Sequence, residues 1–324
     1  MLENFYLTDL EFQLRFARDF RVSSLYAGSM LRGAFGSALR SIVCINSHQE
    51  CADCLTKESC AYQKIFSPVT PVNATRLSKN RDMPRGFVIK PPLTEHTYGP
   101  ENPFSFRMIL VGELVEWLPY IIVPFTELGR QGIGRTKTPF ILERLISCGA
   151  QREETGQEVY SSKDNLVRPD KIATLGFEAF TGEDKIAANT VTLNFLTPTL
   201  LRFNPRGDKG SSQPVLVPEF HVLIKRLRDR ANRLTTTYCS TELHVDYKML
   251  GRRAETVKLA SFQGSWEKRR RKTRSGEAQD MGGFVGTVTY EGNLQEFLPL
   301  LRLGEYLHVG KNAVFGNGWY RIVT

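Results

Sequence analysis

The chain has 324 residues, 41% of them hydrophobic and 24% charged, so it is long enough for two globular domains and is neither disordered nor fibrous. Its 43 Lys and Arg against 34 Asp and Glu give a net charge of +9, which favours a partner rich in phosphate. The apolar runs are too short to cross a bilayer, and the first residues lack the basic start of a signal peptide. We therefore expect a cytoplasmic protein without membrane contact.

The first half of the chain is predicted to alternate strands and helices. Within residues 5–16, apolar and polar residues alternate from Leu10 onward, which predicts a strand. Apolar residues recur every three or four positions over 25–42, which predicts a helix. The same criteria predict strands at 87–89 and 104–110, a helix over 113–128 and a strand at 140–142. Residues 149–184 are polar and rich in turn residues, which is typical of a linker region with room for one hairpin.

A cysteine-rich insertion, about residues 44–65, follows the first predicted helix. It holds four of the six cysteines, namely Cys44, Cys51, Cys54 and Cys60. In a reducing compartment such a cluster favours metal over disulfides, and the two-residue spacing lets one turn present two sulfurs to a tetrahedral ion. We predict a structural zinc site, with an iron–sulfur cluster as the weaker alternative and His48 as a substitute ligand.

A first glycine-rich loop spans Gly129 to Thr136 and nearly spells a phosphate-binding P-loop. Arg135 stands where that motif has lysine, and the loop follows a predicted helix instead of a strand. Its position after a helix therefore favours a helix C-cap and turn. Arg135 and Lys137 nevertheless give it positive charge.

The second half repeats the element order of the first. The predicted elements are a strand at 191–197, a helix over 218–234, a strand at 284–290, a helix over 294–303, a glycine-rich loop and a final strand. Each half thus matches a ferredoxin-like unit. We predict an α+β fold of two tandem ferredoxin-like domains, over residues 1–185 and 186–324.

The second glycine-rich loop holds Gly310, Gly316 and Gly318, with Lys311 between them. Like the first loop it follows a helix, so it is not a dinucleotide fingerprint. Glycine backbone flanked by Arg135, Lys137 and Lys311 suits the close approach of a phosphate backbone. Two such loops in matching positions indicate nucleic-acid binding.

A dense basic run lies between predicted strands of the second half. It consists of Lys268, Arg269, Arg270, Arg271, Lys272 and Arg274. A lone basic run is most often a solvated loop. Placed between strands in a basic domain, this one favours a hairpin that grips nucleic acid through its phosphates.

RNA cleavage can be performed by the residue types near the second loop. RNA carries its own nucleophile, the 2′-hydroxyl, and needs a base, a cation and an acid. His308 beside Lys311 supplies these types, while the sequence lacks the clustered Asp and Glu pattern of two-metal nucleases. We therefore expect no catalytic metal.

Several of these motifs together resemble the CRISPR-associated endoribonucleases of the RAMP superfamily. The resemblance rests on residues 282–286 through 318–320, on 31–40 and on 129–135. It implies two ferredoxin-like RAMP domains, RNA gripped by a basic hairpin, and cleavage of CRISPR repeat RNA. The expected products are a 2′,3′-cyclic phosphate and a 5′-hydroxyl, and the implied partners are guide RNA and a multi-subunit effector complex.

The resemblance also implies catalytic residues in or just after the first helix. That stretch of this chain holds Tyr26 and His48. His308 and His48 are thus alternative general bases, with Tyr26 and Lys311 as helpers. The main alternative function is a non-catalytic RNA-binding RAMP subunit, and a zinc-containing regulator that binds duplex DNA is a third.

Overall fold

The computed structural model describes residues 4–24, 26–46, 49, 51–68, 83–149, 156–181, 189–204, 212–273 and 276–323. The chain forms two compact units. The N-terminal unit comprises Asn4–Gly176 and Arg233–Glu242, and the C-terminal unit comprises Phe177–Asn232 and Leu243–Thr324. The predicted domain boundary, between residues 185 and 186, lies outside the described residues.

The N-terminal unit packs helices against one large sheet. Its strands are β1 Leu7–Phe16, β2 Phe20–Val22, β3 Phe87–Lys90, β4 His96–Tyr98, β5 Phe104–Val111, β6 Phe140–Cys148, β7 Gln157–Ser161 and β8 Leu166–Val167. Its helices are α1 Ala27–Val43, α2 Ala61–Phe66 and α3 Pro119–Gln131. The sheet has the order β3-β5-β1-β6-β7-β8, and β1 pairs antiparallel with both neighbours.

An aromatic core joins this sheet to its helices. On β1 the even-numbered residues from Leu10 to Phe16 are buried, as strand alternation predicts. Phe12 stacks on Phe106 of β5, with ring centroids 4.9 Å apart, and lies 5.1 Å from Phe125 of α3. Phe35 of α1 stacks on Phe125 at 5.3 Å. The two long helices therefore share the apolar face of the sheet.

The C-terminal unit repeats this arrangement with different loops. Its helices are α4 Glu178–Thr181, α5 Phe220–Tyr238, α6 Tyr247–Glu255 and α7 Leu298–Leu307. Its strands are β9 Thr190–Thr199, β10 Arg202–Phe203, β11 Gln213–Pro214, β12 Lys258–Glu267, β13 Arg270–Lys272, β14 Ala278–Asp280, β15 Gly283–Glu291 and β16 Tyr320–Val323. The division between the units falls within α5.

Both units share one strand order. The main sheet of the C-terminal unit runs β12-β15-β9-β16, and the corresponding strands of the N-terminal unit run β3-β5-β1-β6. In chain order the four strands are β1, β3, β5 and β6 in the N-terminal unit and β9, β12, β15 and β16 in the C-terminal unit. The first of each four lies between the third and the fourth in the sheet, and a long helix follows the first and the third. The predicted tandem ferredoxin-like fold is confirmed.

Two predicted helices begin later in the structure. Helix α3 begins at Pro119, after a 3-10 helix at Gly112–Trp117, and α7 begins at Leu298, after a 3-10 helix at Gln295–Phe297, because proline is favoured in the first helical turn. The predicted linker region holds one hairpin, β7 and β8, which extends the sheet beyond β6. None of the described helices is long and apolar enough to cross a membrane.

Two glycines of α1 provide a matched test of the packing. A Cβ on Gly36 would overlap the ring of Phe66, whereas a Cβ on Gly33 meets no atom within 4 Å. We expect Gly36→Ala to lower the free energy of unfolding by about 1–3 kcal/mol. Gly33→Ala should raise it by about 0.5–1 kcal/mol, because alanine favours a helix. Urea denaturation measures both changes, and equal effects of the two substitutions would contradict this packing of α1 against α2.

Candidate nucleic-acid interface

The second glycine-rich loop, residues 309–318, is fixed to the C-terminal end of β9. The amides of Lys311 and Gly318 donate to the carbonyls of Leu200 and Pro198, at 3.0 and 3.1 Å. Gly318 has φ +72°, and a Cβ there would overlap the Val309 carbonyl. Only glycine permits so close an approach in this conformation.

Buried side chains brace this loop from below. The Thr197 hydroxyl donates to the Gly316 carbonyl at 2.8 Å and accepts from the Trp319 amide at 2.9 Å. The side-chain amide of Asn317 donates to the Met281 carbonyl at 2.9 Å. Sequence reasoning missed Thr197 and Asn317, although a polar residue among glycines is a signal for such bracing.

The glycines of this loop support its shape more than they offer open backbone. Gly316 and Gly318 are buried, and their amides donate to Ala313 and Pro198. Direct contact of these two glycines with RNA is therefore not supported. Gly310 is half-buried and Lys311 is exposed, so the outer surface of the loop lies at this end.

His308 lies in the core instead of at the surface. Its side chain is 0% exposed, its ring stacks on Trp319 with centroids 5.7 Å apart, and Nδ1 lies 3.2 Å from the Asn317 carbonyl. A carbonyl only accepts, so Nδ1 carries the proton. A general base must reach the 2′-hydroxyl, and a fully buried imidazole does not meet this requirement. The structure therefore does not support the prediction that His308 is the general base. The buried ring instead packs beneath the loop and stabilises it.

The predicted basic hairpin is present as an extension of β12 and β15. Beyond those strands, β13 pairs antiparallel with β14, and a turn closes with the Thr273 amide donating to the Glu277 carbonyl at 2.8 Å. The side chains alternate: Lys268, Arg270 and Lys272 are exposed, whereas Arg269 and Arg271 are half-buried. Arg274 lies outside the described residues. A row of three cations thus faces solvent on one side of the hairpin.

The first glycine-rich loop forms a tight turn after α3. Gly132 caps the helix, its amide donating to the Leu128 carbonyl at 2.8 Å, as the C-cap interpretation predicts. Ile133 and Thr138 exchange backbone hydrogen bonds of 3.0 Å. Arg135 and Lys137 are exposed, and the guanidinium of Arg18 donates to the Thr136 carbonyl at 3.1 Å. The turn therefore concentrates positive charge.

This turn lies beside the first turns of α1. A Cβ on Gly134 would come within 2.8 Å of the Phe20 ring and 3.9 Å from the sulfur of Met30 in α1. Tyr26 directly precedes α1 and is 51% exposed. An exposed tyrosine and several cations thus lie at one end of the N-terminal unit. His48 lies outside the described residues.

The outer face of the N-terminal sheet carries ion pairs. Buried Asp9 pairs with Arg107, and Arg15 pairs with Glu143 at 2.9 Å. Single-stranded RNA is bound on open sheets of other ferredoxin-like domains through exposed aromatic rings. The odd-numbered side chains of β1 from Asp9 to Arg15 supply charged and polar groups, so this part of the face is not a base-stacking surface.

The four clustered cysteines line one pocket of about 380 Å³ after α1. All four are half-buried free thiols. A hydrogen bond from Thr56 lowers the pKa of the Cys54 thiol, whereas burial raises the pKa of Cys51. The described residues include no group of three or more His, Cys, Asp or Glu side chains arranged to hold a metal ion. The sulfurs share a pocket but do not form a closed cage in it.

Family models match both halves of the chain. Residues 5–172, just over half of it, match the model AF_1859_N, described as an N-terminal domain. Residues 193–320 match the model of the CRISPR-associated endoribonuclease Cas6. The second match includes β9, the basic hairpin and the second glycine-rich loop.

Similar proteins align over nearly the whole chain. An uncharacterized protein of Archaeoglobus fulgidus is 25% identical over 303 residues, which are 92% of this chain and 91% of that protein. A Cas6 product complex is 16% identical with a TM-score of 0.57, covering 98% of this chain and 100% of the other. Thermus thermophilus Cas6 is 14% identical with a TM-score of 0.53, covering 98% and 99%. At these identities the structures share the fold.

The buried position of His308 can be tested by stability. We expect His308→Ala to lower the free energy of unfolding by about 2–4 kcal/mol, because it removes a packed ring and a buried hydrogen bond. Lys311→Ala, three residues away and exposed, should change it by less than about 0.5 kcal/mol. Chemical denaturation measures both changes. A His308→Ala protein as stable as the parent would show that the ring does not hold the loop.

Proposed function

Because the chain belongs to the AF_1859_N family and is a CRISPR-associated endoribonuclease of the Cas6 type, we propose that it cleaves repeat RNA in precursor transcripts to release guide RNAs. The observation that carries the proposal is the row formed by Lys268, Arg270 and Lys272, exposed on a hairpin that contacts the second glycine-rich loop. A row of cations on a strand follows a phosphate backbone and reads no bases by itself.

The proposed reaction uses the RNA as its own nucleophile. The 2′-oxygen attacks the adjacent phosphorus as its proton passes to a base, and the bond from phosphorus to the 5′-oxygen breaks as that oxygen gains a proton. The products are a 2′,3′-cyclic phosphate and a 5′-hydroxyl. We propose that this chemistry requires no metal ion, because a base, an acid and a cation suffice.

Tyr26 is the candidate for proton transfer among the described residues. It is exposed at the start of α1, and the neighbouring turn supplies Arg135 and Lys137 to stabilise phosphorane charge. His48, in the same part of the sequence, remains the candidate general base. Lys311 is proposed as a further cation because it is exposed on the second loop.

We further propose that the product stays bound and enters a multi-subunit effector complex in the cytoplasm. The support is that a similar Cas6 has been solved as a product complex. The fixed loop and hairpin suit this role, since both present a formed surface before RNA binds.

We propose zinc as the structural ligand of the cysteine-rich insertion. The residue types fit, since four thiols line one pocket and Cys51 and Cys54 have the two-residue spacing of zinc sites. Zinc would hold the insertion together and take no part in cleavage.

Cleavage can be tested with labelled repeat RNA in EDTA. We expect a single cut, no cut when the nucleotide 5′ to the scissile phosphate lacks its 2′-hydroxyl, and a single-turnover rate about 10²–10⁴ times lower for Tyr26→Phe. Tyr120→Phe, another exposed tyrosine, should retain the parent rate. Cutting only after Mg²⁺ addition would refute metal independence, and intact RNA across several repeats under both conditions would refute the proposed substrate.

Zinc can be tested by elemental analysis of the purified protein. We expect about one zinc per chain and its loss in Cys51→Ser. Cys148→Ser is the matched control, because Cys148 is a half-buried thiol of β6 outside the cluster. Protein without metal, or Cys51→Ser that keeps its full content, would contradict the site.

A further inference from the structure

The side chains of the basic run lie on both sides of the hairpin, and only one side is exposed to solvent. Residues i and i+2 of a strand lie on the same side, about 7 Å apart. On β13, Arg270 and Lys272 share the exposed side and Arg271 lies on the other. Lys268 and Arg269 lie between β12 and β13, where Lys268 is exposed and Arg269 is half-buried. The five cations therefore cannot all contact one phosphate backbone from the same strand.

Arg271 is held against the second glycine-rich loop. Its guanidinium carbon lies 4.4 Å from the ring centroid of Phe315, which is only 8% exposed. Its Nε–H donates to Oε1 of Gln279 on β14 at 2.8 Å. The Gln279 amide in turn donates to Oδ1 of Asn312 at 3.4 Å. One face and one donor of this arginine are thus occupied by protein groups.

Two further hydrogen bonds join the loop to the same hairpin. The Asn312 amide donates to the Asp280 carbonyl at 3.4 Å, and the Asn317 amide donates to the Met281 carbonyl at 2.9 Å. These contacts fix β14 and the segment behind it. The contact between Arg271 and Phe315 does the same for β13, which carries the outward cations Arg270 and Lys272.

We propose that Arg271 is a positioning residue, which clamps the basic hairpin on Phe315 so that Lys268, Arg270 and Lys272 are held in register with the second loop. The inference rests on the proposed RNA substrate. It assigns phosphate contact to the exposed cations and removes Arg271 from that set.

Arginine is suited to this position in a way that lysine is not. Its planar guanidinium stacks on the Phe315 ring while its Nε–H donates to Gln279. The lysine ammonium has no planar group and no Nε–H, so it cannot make both contacts in this geometry. Burial also lowers the pKa of Arg271, as expected for a cation taken partly out of water. An Arg→Lys substitution therefore keeps the charge and removes the clamp.

The salt dependence of RNA binding separates the two roles. The binding constant falls as salt rises, and each lost phosphate contact makes the plot of log K against log salt less steep by about 0.7–0.9. We expect Arg270→Gln to make the plot less steep by that amount. Arg271→Gln should weaken binding about two- to fivefold, the size of a cation–π contact, at unchanged slope. Arg271→Lys and Phe315→Leu should weaken binding alike, at the slope of the parent protein. A lower slope for Arg271→Gln, with parental binding by Arg271→Lys, would overturn the proposal.

Trypsin digestion of the protein without RNA tests the clamp independently of the substrate. Arg271→Lys and Arg270→Lys both keep every tryptic site. We expect the first, but not the second, to be cut several-fold faster within the hairpin at the same thermal midpoint. Equal rates would overturn the clamp. If the parent protein bound no repeat RNA, the proposed function would fail, and the digestion would still decide whether Arg271 holds the hairpin.

Discussion

The close contact between the second glycine-rich loop and the end of β9 is the constraint on which the surface above it depends. The amide of Gly318 donates to the Pro198 carbonyl of β9, the amide of Lys311 donates to Leu200 directly after β9, and a Cβ at Gly318 would overlap the Val309 carbonyl. Because the loop cannot rise from the strand, the preceding His308 is enclosed against Trp319 and Phe315 is presented beneath Arg271. Loss of this contact would release the hairpin as well as the loop.

Much of the fold follows from periodicity in the sequence. Both β1 and β9 alternate apolar and polar residues, and α1 and α3 each bury one stripe, so their places in the repeated unit could be predicted. Strand β12 could not, because its side chains are exposed or half-exposed on both faces and show no alternation. The extent of the sheet beyond β6 was also hidden, since β7 and β8 are short and separated by a turn.

The candidate site was predictable in its location and only partly in its roles. Composition identified the loop and the basic run, because glycine-rich backbone close to a dense run of Lys and Arg is typical of a phosphate-binding surface. Exposure of individual residues was not predictable. His308 and Lys311 lie three positions apart, yet one is buried and the other exposed, because His308 still packs with the end of α7. Within the basic run, strand alternation puts Arg270 and Arg271 on opposite sides. Which of the two faces solvent depends on the pairing of β13 with β14, and the sequence did not show that pairing.

The two glycine-rich loops have the same place in the element order and different surroundings. The first is closed by reciprocal hydrogen bonds between Ile133 and Thr138 and packs on Phe20, so its shape is determined by its own turn. The second is braced by Thr197 and contacts a hairpin that the first unit lacks in its described part. A self-closed turn presents charges at fixed points, whereas a loop joined to a hairpin presents a longer surface. The two units therefore have the same topology, and only in the C-terminal unit does a described hairpin add a surface along which an extended phosphate backbone can lie.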